Sequence, residues 1–162
     1  MSDALMDWAR AARTGVPEAV YCAGKSISQI ADIVAQAAAR KASLLLTRLT
    51  PERFADLPQM THLTHDTGSE TAVLDHGLPR VADHGVASVA AGTSDARVAR
   101  EAAATLAFSG YDAEVIIDVG VAGLWRLTAA AERLQDRRII IACAGFEAAL
   151  LSVLAGLVSA PV

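Results

Sequence analysis

The chain has 162 residues, enough for one domain or one and a half. Its 53% hydrophobic and 20% charged content is that of an ordinary globular chain, rich in alanine and poor in aromatics. A net charge of −4 argues against a general nucleic-acid binder, no apolar run is long enough to span a bilayer, and the opening MSDALMDWARAAR lacks the apolar segment of a secretory signal. The expectation is a cytoplasmic protein with neither nucleic acid nor membrane as partner.

Residues 3–13 read as a short helix, broken by Thr14-Gly15-Val16-Pro17. Glu18–Ala23 reads as a strand ending at Gly24-Lys25, with Cys22 packed as a small hydrophobe. Ser26 followed three residues later by Gln29 is a capping box. The helix it opens puts Ile27, Ile30, Val34, Ala37 and Ala38 on one face, up to about Lys41. Ser43–Thr47 is a second apolar strand, and Thr50-Pro51-Glu52 opens a short helix with proline where its missing N–H is harmless. Residues 57–85 hold all four histidines and two short strands, near His62–His65 and Thr71–Leu74. His62, His65 and Asp66 suggest a metal cluster, but no third ligand on a fixed element supports it, and loop histidines are the simpler reading.

From Gly85 the pattern sharpens into strand 86–91, helix 95–109, strand 114–119, helix 123–135, strand 138–142 and helix 146–158. Val98, Ala102 and Leu106 mark one face of the first helix, and Leu124, Leu127, Ala131 and Leu134 one face of the second. The third is apolar nearly all round, which predicts burial on several sides and self-association. Cys143 follows the last strand and follows no disulfide or metal spacing with Cys22. Alternation of this kind predicts an α/β protein: a three-layer sandwich on a doubly wound parallel sheet over residues 85–162, preceded by a small α/β unit over 1–84.

In such sheets ligands bind outside the carboxyl ends of the strands. Those ends carry Gly92-Thr93-Ser94-Asp95, then Asp118-Val119-Gly120-Val121-Ala122-Gly123, then Ala144-Gly145-Phe146-Glu147. Glycines with hydroxyls and carboxylates suit a phosphorylated, ribose-containing ligand at the helix N-termini, with Mg2+ as a candidate companion and Asp95 as its candidate ligand through water. The bland alternative is that Ser94 or Asp95 caps its helix and that Asp118 and Glu147 are solvated acids favoured at that helix end.

The segments GTSDARVAREAAATLAFSG, DVGVAGLWRL and AGFEAALLSVLAGLVSAPV, with RTGVPEAVYCAGKSISQI at the start, resemble the LarB family of nickel-pincer cofactor biosynthesis. More distantly they resemble PurE, the aminoimidazole ribonucleotide carboxylase and mutase. The resemblance implies a PurE-like (flavodoxin-like) sandwich assembled into homo-oligomers, octamers in the family. It also implies an enzyme that carboxylates nicotinic acid adenine dinucleotide with CO2 or bicarbonate and releases AMP, leaving pyridinium-3,5-biscarboxylic acid mononucleotide. It places the phosphate-binding turn at Gly92, Thr93, Ser94 and Asp95, further nucleotide contacts at Gly120, Gly123, Gly145 and Lys25, and catalytic carboxylates at Asp118 and Glu147.

The chain also departs from the family. Trp125 stands where histidine is usual and Ala23 where glutamate is usual. Phe146, Ala148 and Leu151 replace methionine, glycine and proline. The family's last third, with its catalytic cysteine, would follow Pro161-Val162, and neither Cys22 nor Cys143 matches that nucleophile, so an incomplete PurE-like domain with little turnover is expected. Two other readings stay open: a PurE-like aminoimidazole ribonucleotide mutase and a non-catalytic nucleotide-binding remnant.

Overall fold

Two sheets organise the chain, and each gathers its own core. In the computed structural model, which describes residues 4–162, the chain divides into Met1–Pro79 and Arg80–Val162.

The first unit begins with α1 (Arg10–Thr14), stopped by Gly15 in the left-handed conformation. The expected helix over 3–13 is therefore shorter and later, and residue 3 lies outside the described residues. β1 (Ala19–Tyr21), α2 (Ile27–Ala39), β2 (Leu44–Thr47), α3 (Pro51–Ala55), β3 (Leu63–Asp66) and β4 (Thr71–Leu74) follow. The strands lie in the order β1-β2-β4-β3. β1 and β2 run parallel around α2, while β4 pairs antiparallel with both β2 and β3.

Local chemistry starts α2 where the sequence places it. Ser26 Oγ accepts the Gln29 N–H at 3.2 Å and Gln29 Oε1 accepts the Ser26 N–H at 2.9 Å. The helix then buries Ile30, Ile33, Val34 and Ala37 in a core shared with Val20, Leu44, Leu46 and Leu74. Ile33 joins the buried line, while Ile27 and Ala38 stay at its edge. The guanidinium of Arg40 lies 5.1 Å from the ring centroid of the half-buried Trp8. The turn between β3 and β4 is fixed by Asp66, which accepts from the Ser69 N–H and hydroxyl and from the Gly68 N–H. These bonds, the serine hydroxyl first, hold the Asp66 carboxyl below its ordinary range.

The second unit holds β5 (Ala82–Ala90), α4 (Ala96–Phe108), β6 (Tyr111–Ile116), α5 (Leu124–Gln135), β7 (Ile139–Cys143) and α6 (Ala149–Ala155). All three strands are parallel, in the order β6-β5-β7. Alternation along β5 separates two faces. Ala87 and Val89 share a core with Leu127 and Leu134 of α5 and Leu150 and Leu154 of α6. On the opposite face Ser88 Oγ donates to the Ala99 carbonyl of α4 at 2.9 Å, so helices cover both sides. This is the expected α/β sandwich on a doubly wound parallel sheet.

Five elements differ from expectation. α5 turns Leu127, Ala130 and Leu134 inward and leaves Leu124 half exposed. β5 begins at Ala82 instead of 86, with an irregularity between Asp83 and Val86. β6 spans Tyr111–Ile116 instead of 114–119, because it is an edge strand and tolerates the exposed Tyr111 and Asp112. α4 turns Ala96, Ala99 and Phe108 to the sheet and leaves Val98 37% exposed, because small alanines allow the close approach that the Ser88 bond requires. α6 starts only at Ala149, and just Leu150 and Leu154 are fully buried; Ser152 and Ala155 face water. The helix is thus shorter than the expected 146–158, and Leu151 and Val153 stay only partly buried on it.

Candidate functional site

The chain leaves β5 toward β6 on one side and returns to β7 on the other, so the topological switch lies beside the carboxyl end of β5. A cavity of about 350 Å³ opens there. Gly92, Ser94, Asp95, Asp118, Gly120, Gly145 and Glu147 all line it, together with Arg126 and Phe146. Of the residues singled out from the sequence, Thr93 and Gly123 flank the cavity without lining it. Lys25 belongs to the first unit.

The turn after β5 is a single 3-10 turn, Thr93–Asp95, leading straight into α4. Asp95 closes it from within: Oδ2 accepts the Gly92 N–H at 3.0 Å and the Asp95 N–H donates to the Gly92 carbonyl at 3.1 Å. One of its oxygens is thus already used structurally, whereas Ser94 is exposed to the cavity.

The loop after β6 crosses the end of β5, where the Val119 N–H donates to the Ala90 carbonyl at 3.2 Å. Gly120 makes that crossing feasible, since a Cβ there would meet the Ala91 carbonyl oxygen at 2.7 Å. Asp118 sits at φ 66, a left-handed conformation that aspartate tolerates better than most residues. Its Oδ2 accepts from Arg126 Nη1 at 2.5 Å. Arg126 packs over Gly123, where a Cβ would lie 2.8 Å from Nε, and near the Trp125 ring, 6.0 Å from its centroid. Arg126 Nε is buried with no hydrogen-bond partner among the described residues. The guanidinium as a whole is partly exposed and lines the cavity, and a cation so placed is suited to an anionic ligand. The sequence reading missed Arg126; its only signal was its place one turn into the helix after the glycine-rich loop.

Glu147 is exposed on the third loop. Asp95 and Asp118 each commit an oxygen elsewhere, and among the described residues no three His, Cys, Asp or Glu side chains are grouped to hold a metal ion. The His62, His65 and Asp66 cluster is likewise no metal centre: His65 Nε2–H donates to the Leu49 carbonyl at 2.8 Å and its ring stacks on Phe54 at 4.6 Å.

Neither thiol is poised for attack. Cys143, half-buried at the end of β7, is pushed up by burial and then by the charge of Asp95, against a bond from Ser88. Cys22 is pushed up to about 11 by burial, which outweighs Arg53 and Lys25 nearby. Arg53 also clamps the β1–α2 turn, donating from Nη1 to the Cys22 carbonyl at 2.7 Å and from Nη2 to the Lys25 carbonyl. Two amides that an anion would use at the start of α2 are taken by its capping box.

A doubly wound α/β unit with a ligand-sized cavity at its switch point, preceded by an α/β unit on a mixed sheet, places the chain among flavodoxin-like and PurE-like proteins. Residues 1–76 match the model of the LarB/PurE-like N-terminal domain, so that part of the chain is similar to the LarB family. It is 36% identical over 166 residues to an uncharacterized protein of Methanocaldococcus jannaschii, a match covering 97% of this chain and 65% of that relative. The chain therefore spans a little under two thirds of the length of the curated relative it matches.

Proposed function

We propose that the cavity at the carboxyl edge of the second sheet binds a nucleotide and that the chain serves a LarB-type carboxylase and hydrolase. The reaction is ring carboxylation of nicotinic acid adenine dinucleotide, with bicarbonate or CO2 as co-substrate and release of AMP. The observation that carries the reading is Arg126: a partly exposed guanidinium, held from one side by Asp118, lines the cavity beside an exposed Ser94 hydroxyl on the turn that starts α4. Arg126 and Ser94 hold phosphate oxygens. Asp118 fixes the guanidinium through its 2.5 Å bond, acting as a positioning residue. Glu147, exposed on the rim, accepts from a ribose hydroxyl or handles a proton at the ring. Covalent attack on a pyridinium ring needs a thiolate-like nucleophile, and burial keeps Cys22 and Cys143 protonated at neutral pH. This chain alone therefore binds without turning over. Homo-oligomerisation belongs to the same proposal, on the ground of the resemblance to the LarB family.

Calorimetric titration with AMP, nicotinic acid adenine dinucleotide and aminoimidazole ribonucleotide tests it. The first two should bind, and Arg126→Gln should weaken both tenfold or more, about 1.4 kcal/mol. Binding of aminoimidazole ribonucleotide in preference to AMP would favour a PurE-like substrate instead. Bicarbonate-dependent AMP release abolished by Cys143→Ser would place the nucleophile on β7.

A further inference from the structure

We infer that Phe146 is a stacking platform for the planar heterocyclic ring of the ligand in this cavity, and so sets its preference for a nucleotide over a bare sugar phosphate. The inference rests on the nucleotide reading above and adds the residue that recognises the base. Phe146 lines the same cavity as Arg126 and Ser94 and is 108% exposed, so its phenyl ring has no cover within the chain. Covering such a ring is favourable, and a flat aromatic ligand can cover its face where a sugar cannot.

The backbone holds that exposed ring at a cost. Phe146 sits at φ 47 and Ala148 at φ 53, both left-handed positions that favour glycine. The strained turn is pinned at both ends. Ala148 N–H donates to the Gly145 carbonyl at 2.9 Å, and the Ala148 carbonyl accepts from Leu151 N–H at 3.0 Å, where α6 anchors itself through buried Leu150 and Leu154. A Cβ on Gly145 would meet nothing within 4 Å, so the space beside the ring is open. The cavity lining thus offers an uncovered aromatic ring on a defined turn and a partly exposed guanidinium. The ligand chemistry that satisfies both is a flat nitrogen heterocycle joined to an anion, and the volume of about 350 Å³ lies within the range of ligand pockets.

Titrations of AMP and ribose 5-phosphate into the wild-type chain, Phe146→Ala and Phe146→Tyr test the assignment. Phe146→Ala should weaken AMP about 5- to 10-fold, the low end for base–aromatic stacking, leave ribose 5-phosphate unchanged, and be rescued by Phe146→Tyr. Equal loss for both ligands, or no loss for AMP, overturns the stack while the nucleotide reading stands. A wild-type chain that binds neither ligand removes the nucleotide reading and the stack together. Phe146→Ala that shifts the sedimentation coefficient to a smaller species overturns the stack, since the ring would then face another copy of the chain.

Discussion

At the scale of single residues, the two cysteines show how burial decides chemistry. Cys22 has no exposed surface and its thiol is pushed from 9.0 to about 11. A folded-state value above the unfolded one means that stability is fully present below pH 9 and is lost as pH rises toward about 11. The loss is on the order of 3 kcal/mol. Urea unfolding between pH 8 and 11 should show this decline in the wild type, and the decline should be smaller by that amount in Cys22→Ala. An identical pH slope in the two proteins would mean that the thiol does not ionise preferentially in the unfolded chain. Individual site residues were legible where their chemistry is local. Gly92, Ser94, Asp118 and Gly145 were readable because glycine turns punctuate strand ends. Arg126 was not, because its role arises only when Asp118 takes a left-handed backbone and the Gly123 gap admits a guanidinium.

At the scale of elements, α2 is the best-specified piece of the chain, since its start is written in two side chains. Ser26→Ala removes one half of the capping box and should destabilise the first unit by about 1 kcal/mol, read as a shift in the urea midpoint at unchanged slope. No shift would assign the helix start to burial of Ile30 and Val34 instead. The same local logic located Thr50 as the cap of α3, where its hydroxyl accepts from Arg53 N–H at 3.4 Å. Elements were misread where no local signal exists. In α4 alanine lies on nearly every face, so hydrophobic spacing could not choose between Val98 and Ala99. The start of α6 was set by the left-handed Phe146 and Ala148, and neither residue type announces that conformation.

At the scale of the whole molecule, the two units have separate cores and separate sheets. No helix among the described residues is long and apolar enough to cross a membrane. The arginine–tryptophan pairs have an optical consequence. The chain has two tryptophans, one in each unit: Trp8, half-buried beside Arg40, and Trp125, 73% exposed beside Arg126. Trp125 should emit to the red of Trp8, because water relaxes around its excited indole. Trp8→Phe thus leaves a single fluorophore next to the guanidinium that lines the cavity, and AMP should change its intensity with the calorimetric Kd. Trp125→Phe leaves a lamp in the first unit alone, dark to nucleotide yet sensitive to unfolding of the sheet that β1 and β2 begin. A nucleotide response carried entirely by Trp8 would move the binding site to the first unit. Each half of the chain therefore carries its own spectroscopic reporter, and no added label is needed to follow the two separately.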